Sequence, residues 1–261
     1  MVCGLEAHAR GQGMGTLSAV RGPAGALEVE VAASAATTSA RCGHGHGRGG
    51  PAPAAAPAGG GRLAVVVLSS HPQRGGSMRG SVESHLYEDI AEDGAFVVVR
   101  FNYRGVGRSG GAKAGDIGSE HRDCEAVLDW LLGAGLGVGR ILLVGYSYGC
   151  MIARSMAMLR PEVIGCVMCA PPFHMFPGEL VRSSISKPQL VVVGEKDNVC
   201  LLCFGFERFK NGLTALASPA ETKMLNKADH YFSGCEATCS KVILDWIRNY
   251  WMAECLESVT L

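Results

Sequence analysis

The sequence has no excess of charge of either sign and no long hydrophobic run. Across its 261 residues, 24 basic residues balance 24 acidic ones, so the formal net charge is zero. Such a balance argues against the broad basic surface with which proteins bind nucleic acid. The longest apolar runs, such as residues 63–68, are far too short to cross a bilayer, and the first residues contain no apolar segment typical of a secretory signal. We therefore expect no nucleic-acid partner, no membrane span and a cytoplasmic location.

The sequence also lacks the cysteine spacing of a metal site, although it contains eleven cysteines. Several of them lie in apolar runs or predicted helices, which favours reduced, buried thiols. Two pairs could bind zinc if other ligands joined them, Cys200 with Cys203 and Cys235 with Cys239. No second ligand pair at a matching spacing accompanies either one, so we predict neither a metal site nor a cofactor.

Strand and helix patterns alternate from residue 63 to the carboxyl end. Strands are predicted at 63–68, 96–101, 141–144, 163–170, 189–193 and 221–225, and helices at 84–93, 116–132, 150–159, 202–216 and 240–251. The valine-rich strands are nearly continuous apolar runs, as in parallel sheets that are buried on both faces. This alternation predicts the α/β class, with a mostly parallel central sheet flanked by helices and with ligands at the carboxyl ends of the strands.

Three segments near the amino terminus fall outside this alternation. Residues 1–25 are glycine-rich and polar without sustained periodicity, and we predict that they are poorly ordered. Residues 27–31 alternate apolar and polar side chains, which predicts a half-exposed strand at a sheet edge. Residues 32–61 consist largely of alanine, glycine, serine, threonine and proline, a composition that buries too little apolar surface to offset its ordering entropy. We expect a single domain over 26–255 with a flexible insertion at 32–61.

One strand, turn and helix unit carries a serine at the turn. The predicted strand 141–144 runs into Gly-Tyr-Ser-Tyr-Gly at 145–149, and a helical segment follows. A serine at such a turn has a strained backbone, which requires small residues two positions before and after it, and Gly145 and Gly149 satisfy this. Ser147 Oγ would then be exposed at the carboxyl end of a central strand as a nucleophile. The alternative is a tight turn with an inert serine.

A serine nucleophile needs a base within hydrogen-bonding distance and a third group that orients the base. His230 and Asp197 each follow a predicted strand, and the chain order serine, acid, histidine is typical of elbow-type hydrolases. We predict His230 as the base and Asp197 as the acid. Glu195 and Asp229 are alternative acids, and His174 is an alternative base.

Acyl transfer also requires hydrogen-bond donors for the oxyanion that develops on the substrate. The backbone N–H of Tyr148, directly after the serine, is the first expected donor. The second should come from the loop after the first buried strand, where Pro72 has no N–H and Gln73 is the natural candidate. Phe173 and His174, in the irregular connection before the next-to-last strand, are the expected substrate contacts.

Arg104 and Arg108 flank a glycine-rich turn after the strand 96–101. Its spacing matches neither the dinucleotide nor the nucleoside-triphosphate glycine pattern. We predict a structural turn whose arginines bind neighbouring loops, with recognition of an acidic substrate group as the alternative.

Five blocks of the sequence resemble those of the α/β-hydrolases. They are His71-Pro-x-x-Gly-Gly-Ser-Met78, Phe101-Asn-Tyr-Arg-Gly-Val-Gly-Arg-Ser-Gly110, Gly145-Tyr-Ser-Tyr-Gly149, Gly194-x-x-Asp197 and Ala228-Asp-His-Tyr-Phe232. The resemblance is closest to small serine-aminopeptidase-like and dienelactone-hydrolase-like enzymes without a large lid. It implies an α/β-hydrolase fold in which Ser147 is the nucleophile, Asp197 the acid and His230 the base.

The same resemblance implies a carboxylesterase-like serine hydrolase that acts on a small-molecule acyl substrate. It would cleave an ester, thioester or amide through an acyl-enzyme, in a site left open by the short connection at 171–188. Two alternatives stay open: a non-catalytic binding protein with this fold, and an aminopeptidase-like peptidase. The peptidase would need an acidic anchor for the substrate amine, and Glu179 and Glu195 are the sequence candidates.

Overall fold

A single eight-stranded sheet forms the centre of the computed structural model, which describes residues 16–34, 61–175, 185–202 and 220–257. The strands are β1 (Thr16–Gly22), β2 (Gly25–Ala33), β3 (Arg62–Leu68), β4 (Val97–Phe101), β5 (Val138–Tyr146), β6 (Val163–Cys169), β7 (Gln189–Gly194) and β8 (Ala220–Leu225). Their order in the sheet is β1-β2-β4-β3-β5-β6-β7-β8. The strands β3 to β8 pair in parallel, whereas β1 and β2 are antiparallel to their neighbours.

Four α-helices accompany the sheet in the described ranges. They are α1 (Ser81–Asp93), α2 (Ile117–Gly133), α3 (Gly149–Leu159) and α4 (Glu236–Glu257). Helix α2 begins where the Asp116 side chain accepts a 2.8 Å hydrogen bond from the Ser119 N–H, a favourable N-cap. Helix α1 packs against α4, and α2 packs against α3. None of these helices combines the length and the apolar character that a bilayer span needs.

The core consists mainly of the valine-rich strands that the sequence predicts. Every residue of β4 is buried, as is every residue of β3 after Arg62. Strand β5 continues this layer, with its residues from Ile141 onward buried. The predicted α/β class with a mostly parallel central sheet is therefore confirmed. The predicted helix at 202–216 lies almost entirely outside the described residues.

The prediction for the amino terminus was wrong at residues 16–22. These residues form β1, which pairs antiparallel with β2 across a tight turn that ends at Gly25, where φ is 133°. Because β1 lies at the edge, its apolar pattern is weak, and Leu17 is 40% exposed. Strand β2 is consequently not an edge strand, and its Leu27 and Val29 are buried. Most of the predicted insertion, residues 35–60, lies outside the described part of the chain.

The glycine-rich turn after β4 has hydrogen bonds of a structural kind, but they reach a helix and a strand where we predicted neighbouring loops. The Arg104 guanidinium binds the buried Asp123 carboxylate at 2.7 Å and donates to the Ser119 carbonyl at 3.0 Å. The backbone N–H of Arg108 donates to Glu28 Oε2 at 2.8 Å. These bonds join the turn to α2 and to β2.

Candidate active site

The backbone at Ser147 has the strained geometry that its glycine neighbours permit. Its φ is 50°, in the left-handed region that non-glycine residues rarely occupy. A Cβ on Gly145 would lie 2.4 Å from the Gly149 carbonyl oxygen, and a Cβ on Gly149 would lie 2.5 Å from that of Leu68. Only glycine fits both positions, so the close approach of β5, β3 and α3 fixes the sharp turn.

Three side chains form a continuous hydrogen-bonded chain at the carboxyl ends of β5, β7 and β8. Ser147 Oγ lies 3.1 Å from His230 Nε2. His230 Nδ1 lies 3.0 Å and 2.9 Å from the two carboxylate oxygens of Asp197. The structure thus brings together the three residues that the sequence analysis selected as nucleophile, base and acid.

Asp197 is completely buried and remains an anion at neutral pH. Its Oδ1 accepts hydrogen bonds from the backbone N–H groups of Val199 at 3.0 Å and Cys200 at 2.8 Å. Burial acts to raise the pKa of Asp197, but the hydrogen bonds and the His230 charge outweigh it and hold the pKa below its usual value. The carboxylate can therefore orient the imidazole and stabilise its protonated form.

The alternative acids have other hydrogen-bond partners. Glu195 is exposed, and its Oε2 accepts the backbone N–H of Lys227 at 2.8 Å. Asp229 accepts hydrogen bonds from Tyr231 and Ser233 within its own loop. In this structure Asp197 is the carboxylate that contacts His230.

A cavity of about 300 Å³ opens beside Ser147 and His230. The predicted substrate contacts Phe173 and His174 are absent from its described lining, to which the adjacent Pro172 and Met175 contribute instead. The short 3₁₀ turn at Phe173–Met175 places other residues of the same segment in the described lining, and substrate contact by Phe173 and His174 stays a prediction. The pKa of His174 is lowered by burial and by the nearby charge of His230.

Gln73 also lies outside the lining of this cavity, contrary to its predicted role. Its backbone N–H donates to His71 Nδ1 at 3.2 Å, and its side chain donates to the Ala114 carbonyl at 2.7 Å. His71 caps the 3₁₀ turn Pro72–Arg74, and this cap engages the Gln73 N–H.

His71, two residues before Gln73, lies in the lining of this cavity. Both His71 and Tyr148 line the cavity, and their rings pack with centroids 4.6 Å apart. Among the described residues, no acceptor is found for the backbone N–H of either one. Backbone N–H groups that have no acceptor among the described residues are the kind of donor that an oxyanion site requires.

Two residues near the site, Glu83 and Cys200, were not predicted from the sequence to belong to it. Glu83 is a buried carboxylic acid in the cavity wall. Cys200 places its Sγ 3.7 Å from His230 Nδ1, and Asp197, Cys200 and His230 have ligand atoms close enough together to hold a metal ion. Because Asp197 and His230 are hydrogen-bonded to each other, we interpret this group as the orienting pair with a thiol beside it.

Comparisons with known proteins agree with the fold. The family model described as alpha/beta hydrolase fold matches residues 65–191. An uncharacterised protein of Rickettsia prowazekii (strain Madrid E) is 29% identical over 187 residues, which cover 70% of this chain and 77% of that protein.

Solved structures of other proteins have a similar fold. An alpha-beta serine hydrolase homologue from Coxiella burnetii is 26% identical, with a TM-score of 0.69 over 88% of this chain and 95% of that one. An α/β serine hydrolase without a lid from Xanthomonas campestris is 21% identical, with a TM-score of 0.70 over 91% and 95% of the two chains. The family model, the sheet and these likenesses together show that the chain is an α/β-hydrolase-fold protein.

Proposed function

We propose that this protein is a serine hydrolase that cleaves a small ester, thioester or amide through an acyl-enzyme on Ser147. The observation that carries the proposal is the hydrogen-bonded chain from Ser147 Oγ through His230 to the buried Asp197. The likeness to proteins described as serine hydrolases supports it.

The reaction follows from this geometry in two stages. His230 Nε2 accepts the Ser147 proton as Oγ bonds to the acyl carbon, and the N–H groups of His71 and Tyr148 stabilise the oxyanion. His230 then gives the proton to the leaving group as the acyl bond breaks. In the second stage His230 takes a proton from a water molecule whose oxygen bonds to the acyl carbon. The bond between that carbon and Ser147 Oγ then breaks, and His230 returns the proton to Oγ as the acid leaves.

The surroundings of the site favour small substrates. A cavity of about 300 Å³ is at the lower end of the range for small-molecule sites. Seven cysteines whose side chains the structure describes are free thiols, and six of them are buried, which fits a reducing compartment such as the cytoplasm. We therefore propose a cytoplasmic enzyme of carboxylesterase type.

Covalent labelling with a fluorophosphonate probe tests this function. Wild-type protein should be labelled at Ser147, and Ser147→Ala should lose labelling and at least about 1000-fold of its activity on short p-nitrophenyl esters. Ser155→Ala, on the helix that follows the turn, is the matched control and should label like wild type. Folded wild-type protein that neither labels nor hydrolyses the esters would favour a non-catalytic binding protein instead.

A further inference from the structure

Glu83 is a carboxylic acid in the wall of the cavity that contains Ser147 and His230. It lies in the first turn of α1, and only 1% of its surface is exposed. The side chain passes over Gly80, another lining residue, where an added Cβ would lie 2.2 Å from Glu83 Oε2. The absence of a side chain at Gly80 leaves space for this oxygen at the cavity wall.

The two carboxylate oxygens of Glu83 have different surroundings. Oε1 accepts the backbone N–H of Ser70 at 3.0 Å and the Ser70 hydroxyl at 3.1 Å. Within the described ranges, no other residue donates a hydrogen bond to Oε2, and no basic side chain forms an ion pair with Glu83. Arg100, whose charge acts on Glu83, pairs at 3.0 Å with Glu30 instead.

A buried carboxylate without a cationic partner has a high free energy. Burial accordingly raises the pKa of Glu83, although hydrogen bonds from the Ser70 and Glu83 N–H groups and the Ser70 hydroxyl, and the Arg100 charge, oppose it. Arg74, a permanently charged residue in the described lining, is exposed, so solvent screens its charge. When it is ionised, Glu83 therefore gives this cavity a desolvated negative charge, which a nearby substrate cation would stabilise.

We propose that Glu83 binds a primary ammonium group of the substrate, so that the enzyme prefers amine-bearing acyl compounds to neutral ones of the same shape. This inference rests on the proposed hydrolase function and names its substrate class, small amino-acid esters or amides. A substrate ammonium would supply the missing cation at Oε2, in surroundings where ion pairs are weakly screened. The sequence-based candidates differ: Glu179 lies outside the described residues, and Glu195 is exposed and bonded to Lys227.

A purely structural role for Glu83 makes a different prediction. The Ser70 bonds fix the loop before His71, and a glutamine could accept them through its own carbonyl oxygen. Glu83→Gln thus removes the charge while it keeps the acceptor for Ser70. If Glu83 served only this loop, the variant would retain the substrate preference of wild type.

The test compares benzyl esters of alanine and of isobutyric acid, which differ by an ammonium in place of a methyl group. At neutral pH, where the ester amine is largely protonated and Glu83 is more ionised than in acid, wild type should have a kcat/KM at least about tenfold higher for the alanine ester, which corresponds to one charge-assisted contact. Glu83→Gln should reduce this ratio to near one. Glu88→Gln, an exposed position on the same helix, is the matched control and should keep the wild-type ratio.

Two results would overturn the inference: a wild-type ratio near one, or an unchanged ratio in an active Glu83→Gln enzyme. Calorimetry with propylammonium, and with 1-propanol as the neutral control, tests the site on wild type without turnover. If neither ester is hydrolysed, the proposed function fails, whereas selective propylammonium binding would still support this site. No selective binding would overturn the inference even in an active enzyme.

Discussion

At the scale of single residues, the proposed oxyanion site consists of backbone N–H groups. Motifs of side chains do not identify such groups in a sequence. We propose the His71 N–H in place of the predicted Gln73 donor, because His71 Nδ1 already accepts the Gln73 N–H. The φ of His71 is −61°, an angle that proline also adopts. A proline at this position would therefore remove the N–H with little change in backbone angle.

We expect His71→Pro to lower kcat by about 100- to 1000-fold relative to His71→Ala, the cost of one oxyanion donor. Both variants lose the imidazole and its bond to Gln73, so their ratio isolates the N–H group. Steady-state kinetics on a short ester measures it, with thermal unfolding as the check on folding. Equal activities of the two variants would show that another group, such as the Gln73 N–H, stabilises the oxyanion.

The residues that the sequence predicts and those that it misses differ in a physical way. Ser147, Asp197 and His230 each follow a recognisable strand, and the carboxyl ends of parallel strands converge. Gln73 was chosen by elimination of Pro72, and a competing acceptor two residues earlier is invisible without the folded loop. Glu83 was missed because it lies just before the predicted helix 84–93, where a carboxylate normally faces solvent.

At the scale of elements, the turn between β5 and α3 depends on contacts between backbones. Gly145→Ala would place its Cβ against the Gly149 carbonyl, and neither backbone segment can move without disturbing the sheet. We expect it to lower the free energy of unfolding by about 2–3 kcal/mol and to abolish probe labelling. Urea unfolding and labelling measure the two effects.

Gly133→Ala is the control for this change, because no atom lies within 4 Å of an added Cβ at the end of α2. It should stabilise the protein by about 0.5–1 kcal/mol through its helix propensity. A Gly145→Ala protein with the stability and labelling of wild type would contradict the account of the strained turn.

The elements of this fold differ in how well the sequence predicts them. Buried strands such as β3 and β4 can be predicted from their sequences alone, since parallel strands covered on both faces are apolar throughout. Strand β1 has only a weak strand pattern in its sequence. It pairs with a single neighbour and is partly exposed, so many residue types are compatible with it. Its existence depends on pairing with β2, and a short polar segment does not reveal a pairing partner.

At the scale of the whole molecule, the ends of β2 and β3 are close together. Ser34 follows β2 directly, and its carbonyl accepts a hydrogen bond from Arg62, the first residue of β3, at 3.3 Å. The Ser34 hydroxyl also donates to the Gly94 carbonyl at 2.9 Å. A short connection can therefore join the two strands.

We predict that replacing residues 35–60 with about six glycine and serine residues preserves the fold and labelling at Ser147. Loop-closure entropy should increase the free energy of unfolding by about 1 kcal/mol, since the loop length falls roughly fourfold. A glycine-serine replacement of the original length is the control and should leave stability unchanged. Loss of labelling in the short variant alone would show that the segment contributes to the site.

The hydrogen-bonded chain at the site also allows probe labelling of Ser147 to measure how far the protein has folded. Ser147 and His230 are 83 residues apart, and His230 and Asp197 are 33 apart, so no local segment contains the complete group. Reactivity at Ser147 requires β5, β7 and β8 to be in register, and long-range parallel pairings are slow to form. The time at which a refolding chain first accepts the probe would therefore record completion of the sheet, after the helices have formed.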